Sequence, residues 1–302
     1  MEQTMFTNEV ILSWLQYFSQ NAPLNLAKLK MLDITGKNKN LIPTVMCNRV
    51  VLVFTDAGHP DVFYDMWNAE LGDCEIWYNE GSEPSGEIKH DKVSDMINRG
   101  INASAAMLIM NPNAATNYHV GMENSRFSYG SVQYVCREVR AVIMNKLDLG
   151  DQDNICIISG ESIAVEAAMI AAEGSVIAVE YDRRDQVTMK CNVDKFGLNN
   201  VTIVESLEDD ILTKLPVPDI AFIVGSPRIG NEIKSLLALN PAMRFVIYTL
   251  DFEILASLPA LLRENGLERT DTIHIEVSRV NSKNMTVPFP APWLISASSV
   301  KE

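Results

Sequence analysis

The sequence predicts an α/β protein in which a small N-terminal α/β unit precedes a doubly wound sheet of the nucleotide-binding type. Three features point to this. Asn154-Ile-Cys-Ile-Ile158 is an apolar run of strand length, and Ser162 to Ala172 is a helix-forming stretch rich in Ala, Ile and Val. About twenty residues after the first strand, Ser175-Val-Ile-Ala-Val-Glu180 is a second strand that ends on a carboxylate. This order of strand, tight turn, helix, strand and acid is the plan in which a nucleotide lies over the first turn and its ribose hydroxyls bond the acid. The acid is present, but of the expected glycines only Gly160 stands in the turn, and Glu161 follows it.

The chain has 302 residues, enough for two domains. Its 47% hydrophobic content and mean hydropathy of +0.03 are those of a globular protein with sizeable cores. Lys and Arg total 25 against 39 Asp and Glu, a net charge of −14 that repels polyanions and anionic lipid headgroups. Neither nucleic acid nor membrane is therefore an expected partner. Cys47, Cys74, Cys136, Cys156 and Cys191 are widely spaced, without a CxxC pair, and read as small, mostly buried hydrophobes. The start Met1-Glu-Gln-Thr lacks the basic region of a signal peptide and no apolar stretch reaches membrane-spanning length, so a reducing cytoplasm is the expected compartment.

In the first half, residues 8–20 place Val10, Ile11, Trp14, Leu15 and Phe18 on one face of an amphipathic helix. Arg49-Val-Val-Leu-Val-Phe54 reads as a strand closed by the turn Asp56 to Pro60, followed by a helix from about Asp61 to Glu70. Cys74 to Tyr78 and Ala105 to Met110 read as further strands. Strands separated by helical segments imply parallel βαβ units, so residues 1–112 form the expected small domain. Asn111-Pro-Asn-Ala-Ala-Thr-Asn117 is polar and aperiodic, which places a linker at 113–131.

The second domain, 132–302, opens with a helix from Val132 that turns Val135, Val139, Val142, Ile143 and Leu147 inward and Arg137, Glu138 and Arg140 outward. Strand 154–158, helix 162–172, strand 175–180, helix 183–196 and strand 201–205 follow in alternation. Asp219 to Val224, a helix near 229–238, Arg244 to Thr249 and a helix from Asp251 to Asn265 continue it. Thr272 to Val277 and Pro292 to Ser296 close the sheet as a hairpin across 278–291. Five parallel strands and a terminal hairpin make the seven-stranded methyltransferase variant of the Rossmann-like sheet.

From Cys136 to Ser296 the chain resembles the decarboxylating precorrin methyltransferase of cobalamin biosynthesis, a class I S-adenosylmethionine enzyme. The matching segments are Arg137-Glu-Val-Arg-Ala141, Val165-Glu-Ala-Ala168, Gly174 to Glu180, Lys195-Phe-Gly-Leu-Asn-Asn-Val201, Pro218-Asp-Ile-Ala-Phe-Ile223 and Val277-Ser-Arg279. Residues 49–78 look like the C-terminal subdomain of the C5-methylating partner, which is often fused ahead of it; that partner's own cofactor-binding subdomain has no counterpart here. The resemblance implies S-adenosylmethionine as cofactor, a tetrapyrrole or related small molecule as substrate, and a homo-oligomer. It places Ser159, Gly160, Glu161, Glu180, Tyr181, Ser206, Leu207 and Gly225 at the cofactor. Arg137 and Arg140 could face tetrapyrrole carboxylates; a surface pairing with Glu138 or Asp148 is the preferred reading.

The chain departs from the family at the loop. Alignment without gaps sets Ile155 at the family's acid and Ile157, Ser159 and Glu161 at its three glycines, and Ser206-Leu207 replaces an acid after the third strand. Glycine serves there because the backbone turns sharply and approaches the ligand without a Cβ. Glu161 stands where the cofactor's methionine carboxylate would lie, and like charges at ~4–5 Å cost on the order of 3–4 kcal/mol at an effective dielectric near 20. Binding of S-adenosylmethionine is therefore expected to be weak or absent, with Ile157 and Ser159 filling part of the pocket. Two functions follow: a methyltransferase acting on a corrin precursor or related molecule, or a non-catalytic binding or assembly subunit on the same fold. The four histidines show no metal spacing, and no catalytic residue or metal is assigned.

Overall fold

The computed structural model describes residues 7–35, 40–55, 61–98, 105–114, 120–130, 135–208 and 210–299. The turn expected at Asp56 to Pro60, with His59, and the position of His119 lie outside these residues, as does the start of the helix expected from Val132. The chain separates into two compact units, Met1–Tyr118 with Lys195–Asn199, and His119–Asp194 with Asn200–Glu302.

The first unit contains α1 (Asn8–Asn21), β1 (Leu29–Asp33), α2 (Leu41–Cys47), β2 (Val50–Phe54), α3 (Val62–Asn68), β3 (Glu75–Tyr78), β4 (Lys89–Lys92), α4 (Val93–Met96) and β5 (Ala106–Met110). Thr7 caps α1 by accepting from the Val10 amide at 3.4 Å, and the face that α1 buries is Trp14, Tyr17 and Phe18 rather than one extending to exposed Val10. The strands form a five-stranded sheet in the order β1-β2-β5-β3-β4.

Only β1 and β2 pair in parallel; β5 runs antiparallel to both β2 and β3, and β3 antiparallel to β4. This corrects the all-parallel expectation. Val51, Val53, Ile76 and Ile109 enter one core while Val50, Leu52, Phe54 and Leu108 enter another with Trp14 and Phe18. A continuous apolar strand reports burial on both faces, which helices over a mixed sheet supply as well as parallel crossovers do.

The second unit contains α5 (Arg137–Leu147), β6 (Asn154–Ile158), α6 (Glu161–Ile170), β7 (Ser175–Val179), α7 (Arg183–Phe196) and β8 (Val201–Val204). It continues with β9 (Ile220–Val224), α8 (Ile229–Leu239), β10 (Arg244–Thr249), α9 (Phe252–Glu264), β11 (Leu267–His274), β12 (Ser278–Val280), β13 (Thr286–Pro288) and β14 (Trp293–Ser299). Its sheet has the order β11-β14-β10-β9-β6-β7-β8, parallel from β8 to β10, with β14 antiparallel to both of its neighbours. The expected closing hairpin is β11 with β14, and the span between them holds a small ribbon of β12 and β13.

Ile155 to Ile158 are almost wholly buried, and each such aliphatic side chain contributes about 1.5–3 kcal/mol. Because β6 lies between β7 and β9, the chain reverses its winding there, and the crevice at the carboxyl ends of β6 and β9 is where doubly wound sheets receive ligands.

Candidate functional site

The turn after β6 puts Ser159 in the left-handed region, at φ +56°, a conformation that glycine adopts without strain. Its amide donates to the Val179 carbonyl at 3.0 Å, so the loop is anchored to β7 despite the missing glycine. Gly160 is required by packing: a Cβ there would stand 2.8 Å from Ile157 Cγ2 and 3.3 Å from the Phe222 ring. Ile157 itself is a fully buried residue of β6 whose branch supports Gly160 from below.

Three carboxylates meet beyond this turn. Glu161 opens α6, Glu180 directly follows β7, and Asp185 lies in the first turn of α7; their relative exposures are 8%, 1% and 4%. Gly130 covers Glu161 and Asp185, its amide donating to Glu161 Oε2 at 3.3 Å. A Cβ on Gly130 would collide with Asp185 Oδ1 at 2.2 Å and with Glu161 Oε1 at 2.3 Å, so only glycine lets these oxygens converge.

Burial pushes the Glu180 carboxyl up to about 8, with Glu161 and Asp185 adding repulsion and the Gly160 amide opposing it. Burial likewise raises Glu161 to about 7; the Gly130 amide opposes the shift and Asp185 reinforces it. Oε1 of Glu161 and Oε1 of Glu180 are buried and meet no hydrogen-bond donor among the described residues. An orphaned carboxylate oxygen is costly unless a ligand completes it.

The remaining expected positions lie around this cluster. Tyr181 donates its hydroxyl to Glu232 Oε1 at 2.9 Å, and its ring carries the Arg228 guanidinium 4.3 Å from its centroid, linking the ends of β7 and β9. Burial raises the Glu232 carboxyl as well. Ser206 Oγ accepts from the Glu208 amide at 3.2 Å and holds the turn after β8, where Leu207 packs on the core. Gly225 follows β9, its amide bound to the Tyr248 carbonyl at 2.7 Å; a Cβ would press on Ile254, Thr249 and that carbonyl at 3.1–3.2 Å. Asp182 caps α7 by accepting from the Arg184 amide at 2.7 Å.

The arginines depart from expectation. Arg140 is not a surface residue: at 1% exposure it pairs with fully buried Glu166 at 2.8 Å, corrects the pairing expected with Glu138 or Asp148, and has no donor facing solvent. It also donates to Asn124 Oδ1 at 2.8 Å and to the Val135 and Met122 carbonyls, beneath the Phe127 ring. Arg137 is half-exposed and pairs with Glu123. Glu166 in turn accepts from the Gly121 and Met122 amides at 3.0 Å, and Asn192 exchanges two hydrogen bonds with the Ser128 backbone. Residues 121–130 are thereby strapped down from Glu166 to Glu161, which positions Gly130 over the carboxylates.

Sequence reasoning missed Gly130, Asp185, Glu166 and Asn192. A lone glutamate inside the apolar run Ile163-Ala-Val-Glu-Ala-Ala168 was the available signal for a buried ion pair.

Comparison with known proteins places the same residues in context. A sequence profile of the precorrin methyltransferase domain matches residues 129–286. The probable cobalt-precorrin-6B C(15)-methyltransferase (decarboxylating) of Pyrobaculum calidifontis is 34% identical over 135 residues, covering 43% of this chain and 67% of that protein. The similarly named protein of Sulfurisphaera tokodaii is 32% identical over 147 residues, covering 47% and 76%. Among solved structures, the precorrin-6y C5,15-methyltransferase of Geobacter metallireducens superposes with a TM-score of 0.55 at 23% identity, covering 60% of this chain and 97% of that one, a likeness of fold.

Proposed function

The chain belongs to the precorrin methyltransferase family, and on that premise we propose that its second unit binds S-adenosylmethionine weakly and directs methyl transfer to a tetrapyrrole or related small molecule. The observation that carries this reading is Glu180. One carboxylate oxygen is supported by the Gly160 amide and the other is buried without a donor, which suits a ribose hydroxyl at the end of β7.

Ser159 and Gly160 would lie under the nucleoside, Tyr181 beside the ribose, Ser206 and Leu207 near the base, and Gly225 near the reacting end. When bound, the sulfonium cofactor supplies an electrophilic methyl group. The protein's part is to align the accepting carbon and exclude water, which needs no dedicated acid or base. Arg137 is the candidate for substrate carboxylates, because its exposed pair with Glu123 is worth only about 0–1 kcal/mol and exchanges readily. The family likeness also supports a homo-oligomer, which light scattering would detect.

Calorimetric titration with S-adenosylmethionine and its demethylated product tests the reading. Both are expected to bind more weakly than micromolar, and above pH 8, where the raised Glu180 carboxyl is ionised, Glu180→Ala is expected to lose a further ~1.5–3 kcal/mol, the value of a charged hydrogen bond. Unchanged affinity in that variant would remove Glu180 from the site. A second reading, a non-catalytic binding or assembly subunit, is favoured by Glu161 at the third glycine position. It prevails if neither nucleoside binds at millimolar concentration.

A further inference from the structure

The weakest fit to S-adenosylmethionine lies at the tail of the ligand. An amino-acid tail brings a carboxylate to the start of α6, where helix amides and the positive end of the helix dipole would receive it. Here Glu161 already supplies the negative charge at that helix start, Asp185 meets it against Gly130, and Glu180 lies close enough to be repelled by both. An entering carboxylate would meet three acids. An ammonium brings three donors and a positive charge to oxygens that lack donors.

Resting on the nucleoside reading above, we propose that these carboxylates select a nucleoside whose aliphatic tail ends in an ammonium and bears no carboxylate, with Glu161 Oε1 and Glu180 Oε1 as acceptors and Asp185 as supporting charge. The acid cluster does not stand alone in this assignment. Glu180 is 1% exposed and Glu161 8%, and each has a buried carboxylate oxygen that meets no hydrogen-bond donor among the described residues. Gly130 lets two of these acids converge, because a Cβ there would stand 2.2 Å from Asp185 Oδ1 and 2.3 Å from Glu161 Oε1. A cation among them would lower the carboxyls of Glu161 and Glu180, which burial raises to about 7 and about 8.

The test is calorimetric titration of the full chain, at one pH near 8, with decarboxylated S-adenosylmethionine, S-adenosylmethionine and 5′-methylthioadenosine. The decarboxylated cofactor is expected to bind at least roughly tenfold more tightly than S-adenosylmethionine. In Glu161→Gln, which keeps the shape and removes the charge, that ratio is expected to fall to about threefold or less. Equal or tighter binding of S-adenosylmethionine overturns the inference while leaving the nucleoside reading intact, as does binding of methylthioadenosine alone. A ratio unchanged in Glu161→Gln removes Glu161 from the selection and overturns the assignment. If none of the three binds at millimolar concentration, the nucleoside reading fails together with the inference.

Discussion

Glu161 and Glu180 combine a local loss of stability with a readiness to receive positive charge. Their carboxyls stand at about 7 and about 8 in the folded chain against an ordinary value of 4.5, so the folded state binds more protons than the unfolded one between those limits. The stability they allow is complete below the ordinary value and is lost as the pH rises through 7 to 8. Glu161→Gln should therefore raise the melting temperature at pH 8 by about 2–4 °C, corresponding to ~1 kcal/mol, and leave it nearly unchanged at pH 5. Equal shifts at the two pH values would mean that the charge is not the source of the penalty. Glu180 and Gly160 were legible because a strand end and a tight turn fix their places from sequence alone. Asp185 and Gly130 were not, since their roles depend on a meeting of α7 and the strap that no local pattern records.

The strap of residues 121–130 and the helices α5 and α6 depend on the Arg140 and Glu166 pair. Removing one partner of a buried pair leaves an uncompensated charge, so Arg140→Ala should destabilise the chain by about 3–5 kcal/mol in urea unfolding. Replacing both, as Arg140→Met with Glu166→Leu, should recover part of that loss and no more. The Gly121 and Met122 amides would still lack the acceptor that Glu166 provides. Full recovery would show that the two amides find other partners. Helical periodicity located α5 but turned Arg140 outward, because a charged residue on a boundary position reads as solvated unless its partner, 26 residues away, is known. The strands β4, β12 and β13 escaped for a related reason: Lys89-His-Asp-Lys92 is an edge strand without an apolar residue, and both β12 and β13 are exposed along their length.

Alternation of strands and helices made the second sheet readable down to its closing hairpin, since parallel strands with buried faces and short connections admit few other windings. In the first sheet β2, β3 and β5 were readable in position but not in direction, because burial on both faces says nothing of polarity, and β1 and β4 were not read at all. The two sheets share no strand among the described residues, and their titratable groups differ in a way that calorimetry can use. Among the described residues of the first unit, the groups moved from their ordinary values are Tyr17, Cys47 and Cys74, all raised from ranges already above neutrality. In the second, Glu161, Glu180 and Glu232 are raised from the carboxylate range toward neutral pH. Only the second unit should therefore lose stability through its buried carboxylates between pH 5 and 8. Scanning calorimetry is expected to resolve two transitions, of which one moves down across that range and is the one that Glu161→Gln displaces upward at pH 8. A single transition displaced as a whole would show instead that the two units unfold together.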